Sequence, residues 1–296
     1  MHPKFQETID SIAAWAQADP AVQGVIIIGS QARSTILSDQ WSDLDLMLFV
    51  DDQQAMMQDD TWTERFGQVI CQFDEIVPLH FTNWKWCVKR PLYADLRDVD
   101  FSVLPYDRLD EVLAVNRDII ARGYRVIYDS RADLLESKIR ALLQAAEPEG
   151  FQVLTEREFQ LVVSELLYHV VWAFKKIKRG ELWVAANCIN SHMKNLLFRL
   201  IEAHNVTVRQ QPDILQYYGR FLEQRTDPQV LAMLERCFTH YDRADAVAAL
   251  GHLHEITHLL ARAICEKTGY AFDAAQFDRI KAVYDEMRTS EDPLPA

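Results

Sequence analysis

The chain has 296 residues, enough for two domains with separate cores. No apolar run approaches the roughly 20 residues that span a bilayer, and the N-terminal MHPKFQETID has no basic segment leading into an apolar one, so neither membrane span nor signal peptide is expected. A formal net charge of -13 argues against a general nucleic-acid binder, which needs lysine and arginine for phosphate, and is compatible with a cationic ligand. The five cysteines are scattered without a Cys-x-x-Cys pair. Free thiols in a reducing cytoplasm are the expectation. The sequence does not decide the oligomeric state, and a monomer is the simpler expectation.

Phe5, Ile9, Ile12 and Ala16 recur at helical spacing, predicting a helix over 5–18 that Asp19-Pro20 ends. The stretch VIIIGSQARSTILSDQWSDLDLMLFV, residues 25–50, then reads as strand, tight turn, short helix, loop and strand. Gly29 and Ser30 break the first strand. Glycine allows close backbone approach, and the amides that open a following helix can bind a phosphate. Asp43 and Asp45 open the second strand on one face, with Leu44, Leu46 and Leu48 on the other, where core is expected. Two adjacent carboxylates repel unless a cation sits between them, and such oxygen ligands suit Mg²⁺. The alternative is an ordinary turn followed by two solvated aspartates.

Residues 51–68 are polar with room for a short helix, 69–73 reads as a strand, and 74–90 is ambiguous, with Trp84 and Trp86 read as core packing on one strand face. Tyr93 to Leu104 reads as a hairpin with Arg97-Asp98 at the turn. Val99, Phe101 and Val103 share one face, and Asp100, Ser102 and Leu104 the other. Asp100 is therefore a carboxylate between apolar residues on a central strand. Asp98 shares its face but lies nearer the turn, where aspartate has a local role. An amphipathic helix over 107–121, a strand over 124–128 closing the sheet, and a helix over 133–146 follow, with a break at Glu147-Pro148-Glu149-Gly150. The domain boundary belongs between about 130 and 156, drawn here at 135/136.

Beyond it the pattern is helical. Three apolar stripes, Phe159 to Ile177, Leu182 to Leu200 and Leu253 to Ile264, read as core. The densest positive cluster is Lys175-Lys176-Ile177-Lys178-Arg179, followed by Gly180-Glu181. On composition it is equally a phosphate-binding group or a solvated helix end complementing the dipole.

A Gly-Ser turn after a strand, then Asp-x-Asp on the next, resembles the nucleotidyltransferase fold of the DNA polymerase β superfamily. Within it the chain is similar to the aminoglycoside 6-adenylyltransferase (streptomycin adenylyltransferase) family. The resemblance implies an α+β chain: an N-terminal nucleotidyltransferase domain, residues 1–135, with a mixed β-sheet and flanking helices, then a C-terminal α-helical bundle domain, residues 136–296, for substrate and nucleotide. It implies Asp43, Asp45 and Asp100 as metal ligands and catalytic acids, with Mg²⁺ as cofactor and ATP as co-substrate. Asp100 would also take the proton of the attacking hydroxyl. Gly29 and Ser30 would hold the nucleotide, and Arg33 would either help them or brace the turn. Lys175, Arg179 and Glu181 match a lysine–arginine–glutamate pattern of the family's helical domain, which assigns Lys175 to the ATP phosphates, while Arg179 would join it there or pair with a carboxylate. Glu165 and Glu181 are left for a cationic acceptor, most simply an aminoglycoside such as streptomycin, in a cleft between sheet and helices. Ala32-Arg33 after the turn departs from the streptomycin enzymes toward the wider superfamily, which bears on the acceptor rather than the reaction.

One competing motif stands in the last long helical stretch. His254-Glu255-Ile256-Thr257-His258 matches the zinc-metalloprotease signature, two histidines one helical turn apart with a glutamate general base. A third ligand is needed, and no glutamate stands at the usual distance downstream, where the acids are Asp273 and Asp278. The corresponding stretch of the adenylyltransferase family holds no zinc, so partly exposed histidines beside a core stripe are expected. A non-catalytic nucleotide-binding protein on the same fold is the other alternative, opposed by the intact Asp43, Asp45 and Asp100.

Overall fold

A computed structural model describes residues 3–33, 38–78, 84–144, 154–210 and 219–290. The chain forms two compact units, Met1–Glu149 and Gly150–Ala296.

The first unit begins with helix α1 (Gln6–Ala18) and strand β1 (Val22–Ile28), followed by a single 3-10 turn at Gly29–Gln31. Strand β2 (Leu44–Val50), helix α2 (Gln53–Gln58), a 3-10 segment (Thr61–Phe66) and strands β3 (Val69–Pro78), β4 (Lys85–Tyr93) and β5 (Val99–Pro105) come next. Helices α3 (Leu109–Val115) and α4 (Arg117–Ala121), strand β6 (Arg125–Asp129) and helix α5 (Leu134–Gln144) complete it. The strands form one sheet in the order β3-β4-β5-β2-β1-β6. Among the described strands only β2 and β5 pair in parallel, with Leu44 opposite Val99 and Asp45 opposite Asp100. The remaining neighbours are antiparallel.

Both faces of this sheet are covered. Leu44, Leu46 and Leu48 join Val25, Ile27, Val99, Phe101 and Val103 in one core, beneath α1 and the rings of Trp62 and Phe66. This is the predicted core face. The other face is also core: Ile26, Met47, Phe49 and Leu104 pack there with residues of α3, α4 and α5. Because side chains alternate along a strand, Asp45 begins the row that continues into Met47 and Phe49, and Asp100 the row that continues to Leu104. The acids thus sit where a second core runs out. Trp84 and Trp86 belong to that core, as read from the sequence.

Two expectations need adjustment. The helix over 107–121 is two helices, because buried Asn116 intervenes and its side-chain amide donates to the Val112 carbonyl at 2.8 Å. Such a bond competes with helix continuation. The compact units divide at 149/150 rather than 135/136, because α5 packs on α3, α4 and β6 and buries Leu135 and Ile139 in the second core. The break expected at Glu147-Pro148-Glu149-Gly150 lies outside the described residues.

The second unit is helical throughout its described residues. Helix α6 (Glu156–Lys178) starts at a capping box in which Thr155 and Glu158 satisfy each other's backbone amides, a device worth about 1 kcal/mol. Helix α7 (Leu182–Asn187) passes through a π turn (Cys188–His192) into α8 (Met193–Thr207). Then come α9 (Leu222–Arg225), α10 (Pro228–Glu235), α11 (Arg243–Thr268) and α12 (Ala274–Thr289). The three stripes read from the sequence, on α6, on α7–α8 and on α11, meet in one core. No described helix is long and apolar enough to cross a membrane. All five cysteines are free.

Candidate active site

The site is built by the two strands that pair in parallel. Asp43, Asp45 and Asp100 present carboxylate oxygens that all lie within 4.8 Å of one another. Register explains this: Asp45 on β2 stands opposite Asp100 on β5, and Asp43 precedes Asp45 on the same face. Gly29 closes the site from β1. Its φ is +68°, and a Cβ there would stand 1.9 Å from Oδ2 of Asp45. The glycine is therefore required both by backbone conformation and by the room the carboxylate occupies.

Burial and like charge push Asp45 up to about 7, with Asp43 and Asp100 the repelling neighbours and Arg33 and Arg90 opposing them. Asp100 rises to about 6 through burial, against the pull of Arg90. The carboxylates thus share a desolvated region in which nearby arginines only partly offset their charge. An all-carboxylate oxygen donor set of this size fits Mg²⁺, so the residues present match the cation that the sequence implied. Ser30 and Gln31 are buried in the turn. The Ser30 hydroxyl donates to the Asp43 carbonyl at 3.5 Å and the Gln31 amide to the same oxygen at 3.2 Å, which ties the turn to the strand entrance.

Arg90, on β4, is a member of the site that sequence reasoning missed. Its guanidinium pairs with Asp100 through one nitrogen and with Glu75 at 3.0 Å through another. It also lies over the Phe73 ring, 6.0 Å from the centroid. The available signal was strand alternation through 85–93, hidden by the ambiguity of 74–90.

The remaining assigned residues lie in the second unit. Lys175 is exposed in the last turn of α6. Arg179, just beyond, pairs with Glu181 at 2.6 Å, and Lys176 pairs with the same carboxylate at 2.7 Å. These partners hold Glu181 below the usual carboxylate range. Glu165 pairs with His192 at 3.1 Å.

The metalloprotease reading, already disfavoured, finds no support here, and the expectation of a partly exposed His254 is corrected, because that side chain is buried. His254 is buried and donates from Nε2 to the Phe277 carbonyl at 3.0 Å, while burial lowers its pKa. His258 packs edge-on against Phe272 and Phe277. Glu255 turns to His252 at 3.2 Å, and Asp273 caps α12. Among the described residues these groups do not converge as metal ligands. The motif belongs to helix packing.

Three acids on and beside two adjacent parallel strands, walled by a glycine turn, form a compact carboxylate cluster. The family model described as streptomycin adenylyltransferase matches residues 3–287, and the chain belongs to that family. Two similar proteins are both described as aminoglycoside 6-adenylyltransferase. The one from Campylobacter jejuni is 24% identical over 201 residues, covering 66% of this chain and 65% of the relative. The one from Bacillus subtilis (strain 168) is 24% identical over 207 residues, covering 67% and 68%. The matched segment thus spans about two thirds of each relative. A crystal structure of an aminoglycoside 6-adenyltransferase from Bacillus subtilis aligns over 96% of this chain and 99% of its own, at 16% identity and a TM-score of 0.46.

Proposed function

We propose that this protein transfers AMP from ATP to a hydroxyl of a small cationic acceptor, an aminoglycoside such as streptomycin, and releases pyrophosphate. The observation that carries the reading is the convergence of Asp43, Asp45 and Asp100 beside Gly29. Family membership, and the description of both relatives as aminoglycoside 6-adenylyltransferases, supports the acceptor class.

In this reading Asp43, Asp45 and Asp100 hold Mg²⁺, which when bound offsets triphosphate charge and stabilises both oxygens of an in-line displacement. Asp100, ionised at neutral pH with its carboxylate steadied by Arg90, takes the proton of the acceptor hydroxyl. The hydroxyl oxygen bonds to the α-phosphorus, the bond to the bridging oxygen breaks, and pyrophosphate leaves with that electron pair. Gly29 and the turn behind it bring backbone close to the nucleotide, with Ser30 and Arg33 as its polar and positive groups. The family pattern adds Lys175 and Arg179 for the phosphates. To use Glu165 or Glu181, an acceptor amine would displace His192 from the first, or Lys176 and Arg179 from the second.

Pyrophosphate release from ATP, measured with Mg²⁺ across an aminoglycoside panel, tests the proposal. Release that depends on one aminoglycoside and on Asp45 supports it. No release with any of them would remove the acceptor. Aminoglycoside-dependent release that persists in Asp45→Asn would remove the site.

A further inference from the structure

The second unit carries a cluster in which two histidines without a role in adenylyl transfer gather around Glu165, one of the two carboxylates offered to the acceptor. Glu165 and His169 stand four residues apart on α6 and share a face. His192, at the end of the π turn, comes to meet them. Its Nε2 lies 3.1 Å from Oε1 of Glu165, and the two imidazole rings lie 4.5 Å apart. One ligand-capable atom from each of the three residues falls within 4.8 Å of the others. We infer that Glu165, His169 and His192 form a binding site for a divalent transition-metal ion, with Zn²⁺ the expected occupant. The inference goes beyond the adenylyl-transfer reading and does not depend on it.

Four features favour a metal over a simple glutamate–histidine ion pair. First, Nδ1 of His169 lies 2.8 Å from the Glu165 backbone carbonyl. That carbonyl can only accept, so Nδ1 carries the proton and Nε2 keeps a lone pair. A backbone carbonyl on the second ring nitrogen is the usual support for a metal-bound histidine. Second, two imidazoles and a carboxylate are a zinc ligand set that leaves one coordination position open. Third, zinc–nitrogen bonds of about 2.0–2.1 Å place tetrahedral ligand atoms about 3.3 Å apart. The Glu165–His192 separation already meets this. Both side chains are nearly half exposed, at 45% and 46%, so rotation alone can bring the third ligand in. Fourth, the π turn sets where His192 projects, and π turns recur at functional sites.

The open position has space beside it. His169 and His192 line a cavity of about 340 Å³ together with Trp172, Trp183 and Cys188. Water can complete the coordination there. Softer carboxylate-poor ligands disfavour Mg²⁺, which separates this site from the three aspartates of the first unit. With zinc bound, Glu165 is a metal ligand and not an acceptor carboxylate.

The test uses the full chain, stripped with chelator and titrated with Zn²⁺ against a chromophoric competitor. Co²⁺ substitution gives a second readout, a visible absorption band of four- or five-coordinate cobalt. One tightly bound equivalent is expected. His169→Ala and His192→Ala should each weaken it by about a hundredfold or more and abolish the cobalt band, while Asp45→Asn and His258→Ala retain both. His192→Gln, conservative at a half-exposed position, guards against a folding defect, which circular dichroism would show. Absence of a stoichiometric zinc equivalent in the parent chain would overturn the inference. So would zinc affinity unchanged in the folded histidine variants, or lost equally in Asp45→Asn or in His258→Ala.

Discussion

Asp45→Asn should remove catalysis and at the same time make the metal-free protein more stable at alkaline pH. The reason is the burial of the Asp45 carboxylate, with the negative charge of Asp43 and Asp100 added to it, which a bound cation would offset. Moving the Asp45 carboxyl from its ordinary 3.8 to about 7 corresponds to about 4 kcal/mol between its two protonation states. The folded state then holds a proton that the unfolded chain gives up, so stability falls as pH rises from about 4 through about 7. Asparagine keeps the shape and carries no charge. The variant should therefore match the parent near pH 4 and exceed it by about 2–4 kcal/mol at pH 8. Millimolar Mg²⁺ should narrow the gap by stabilising the parent alone, through binding to the folded state. Scanning calorimetry at both pH values, with and without Mg²⁺, measures this on the transition of the first unit. A variant less stable than the parent at pH 8, or a gap that Mg²⁺ leaves unchanged, would refute this account of the Asp45 carboxylate.

Gly29→Ala would put a Cβ 1.9 Å from the Asp45 carboxylate. Displacement of that acid by about 1 Å should cost about a hundredfold in kcat, and ordinary turnover in the alanine variant would dismiss the role of the turn. Arg90 holds the Asp100 carboxyl down against burial. Arg90→Ala should raise that pKa further and move the acidic limb of the pH–rate profile to higher pH, a shift that a merely structural arginine would not produce. Lys175→Ala should weaken ATP binding by about ten- to a hundredfold, the cost of a lost charge-assisted contact. Isothermal titration would return Lys175 to an ordinary solvated helix end if ATP affinity were unchanged. Acceptor affinity should fall as salt rises, because attraction between an acidic protein and a polycation is screened; affinity indifferent to salt in titrations of the panel would speak against a cationic acceptor.

Local pattern made much of the fold legible. The Gly29-Ser30 punctuation, the alternation of leucine and aspartate in β2, and the helical stripes of α6 and α11 each announce their element within a few residues. The split between α3 and α4 was not legible, because it turns on whether Asn116 caps or continues a helix, which burial decides. The division of the units falls inside the window of about 130 to 156 but not at the line drawn within it. The apolar face of α5 does not say which core it completes, and Leu135 and Ile139 complete the second core of the sheet. His254-Glu255-Ile256-Thr257-His258 misleads for the opposite reason. Its spacing satisfies a metal motif, while its partners, Phe277 above all, come from another helix.

The acids show where local pattern runs out. Asp43 and Asp45 were found from two-residue alternation, but the place of Asp100 depends on β2 and β5 pairing in parallel across the intervening α2, β3 and β4, a long-range choice. Once made, that pairing lays a row across the sheet. Ile28 stands opposite Asp45, Asp45 opposite Asp100, and Phe73 opposite Arg90. The β4–β5 ladder, through Lys89 opposite Phe101, brings Arg90 alongside Asp100. Charge therefore alternates unevenly along the row. Asp100 already has the Arg90 guanidinium on one side, whereas Asp45 has the uncharged backbone of Gly29 against its carboxylate. Both acids are pushed up mainly by burial, Asp45 with Asp43 and Asp100 repelling it in addition. On the proposed reading a first cation would be held by Asp43 and Asp45, and Asp100, whose proton affinity Arg90 lowers, would be the acid that stays ionised to act.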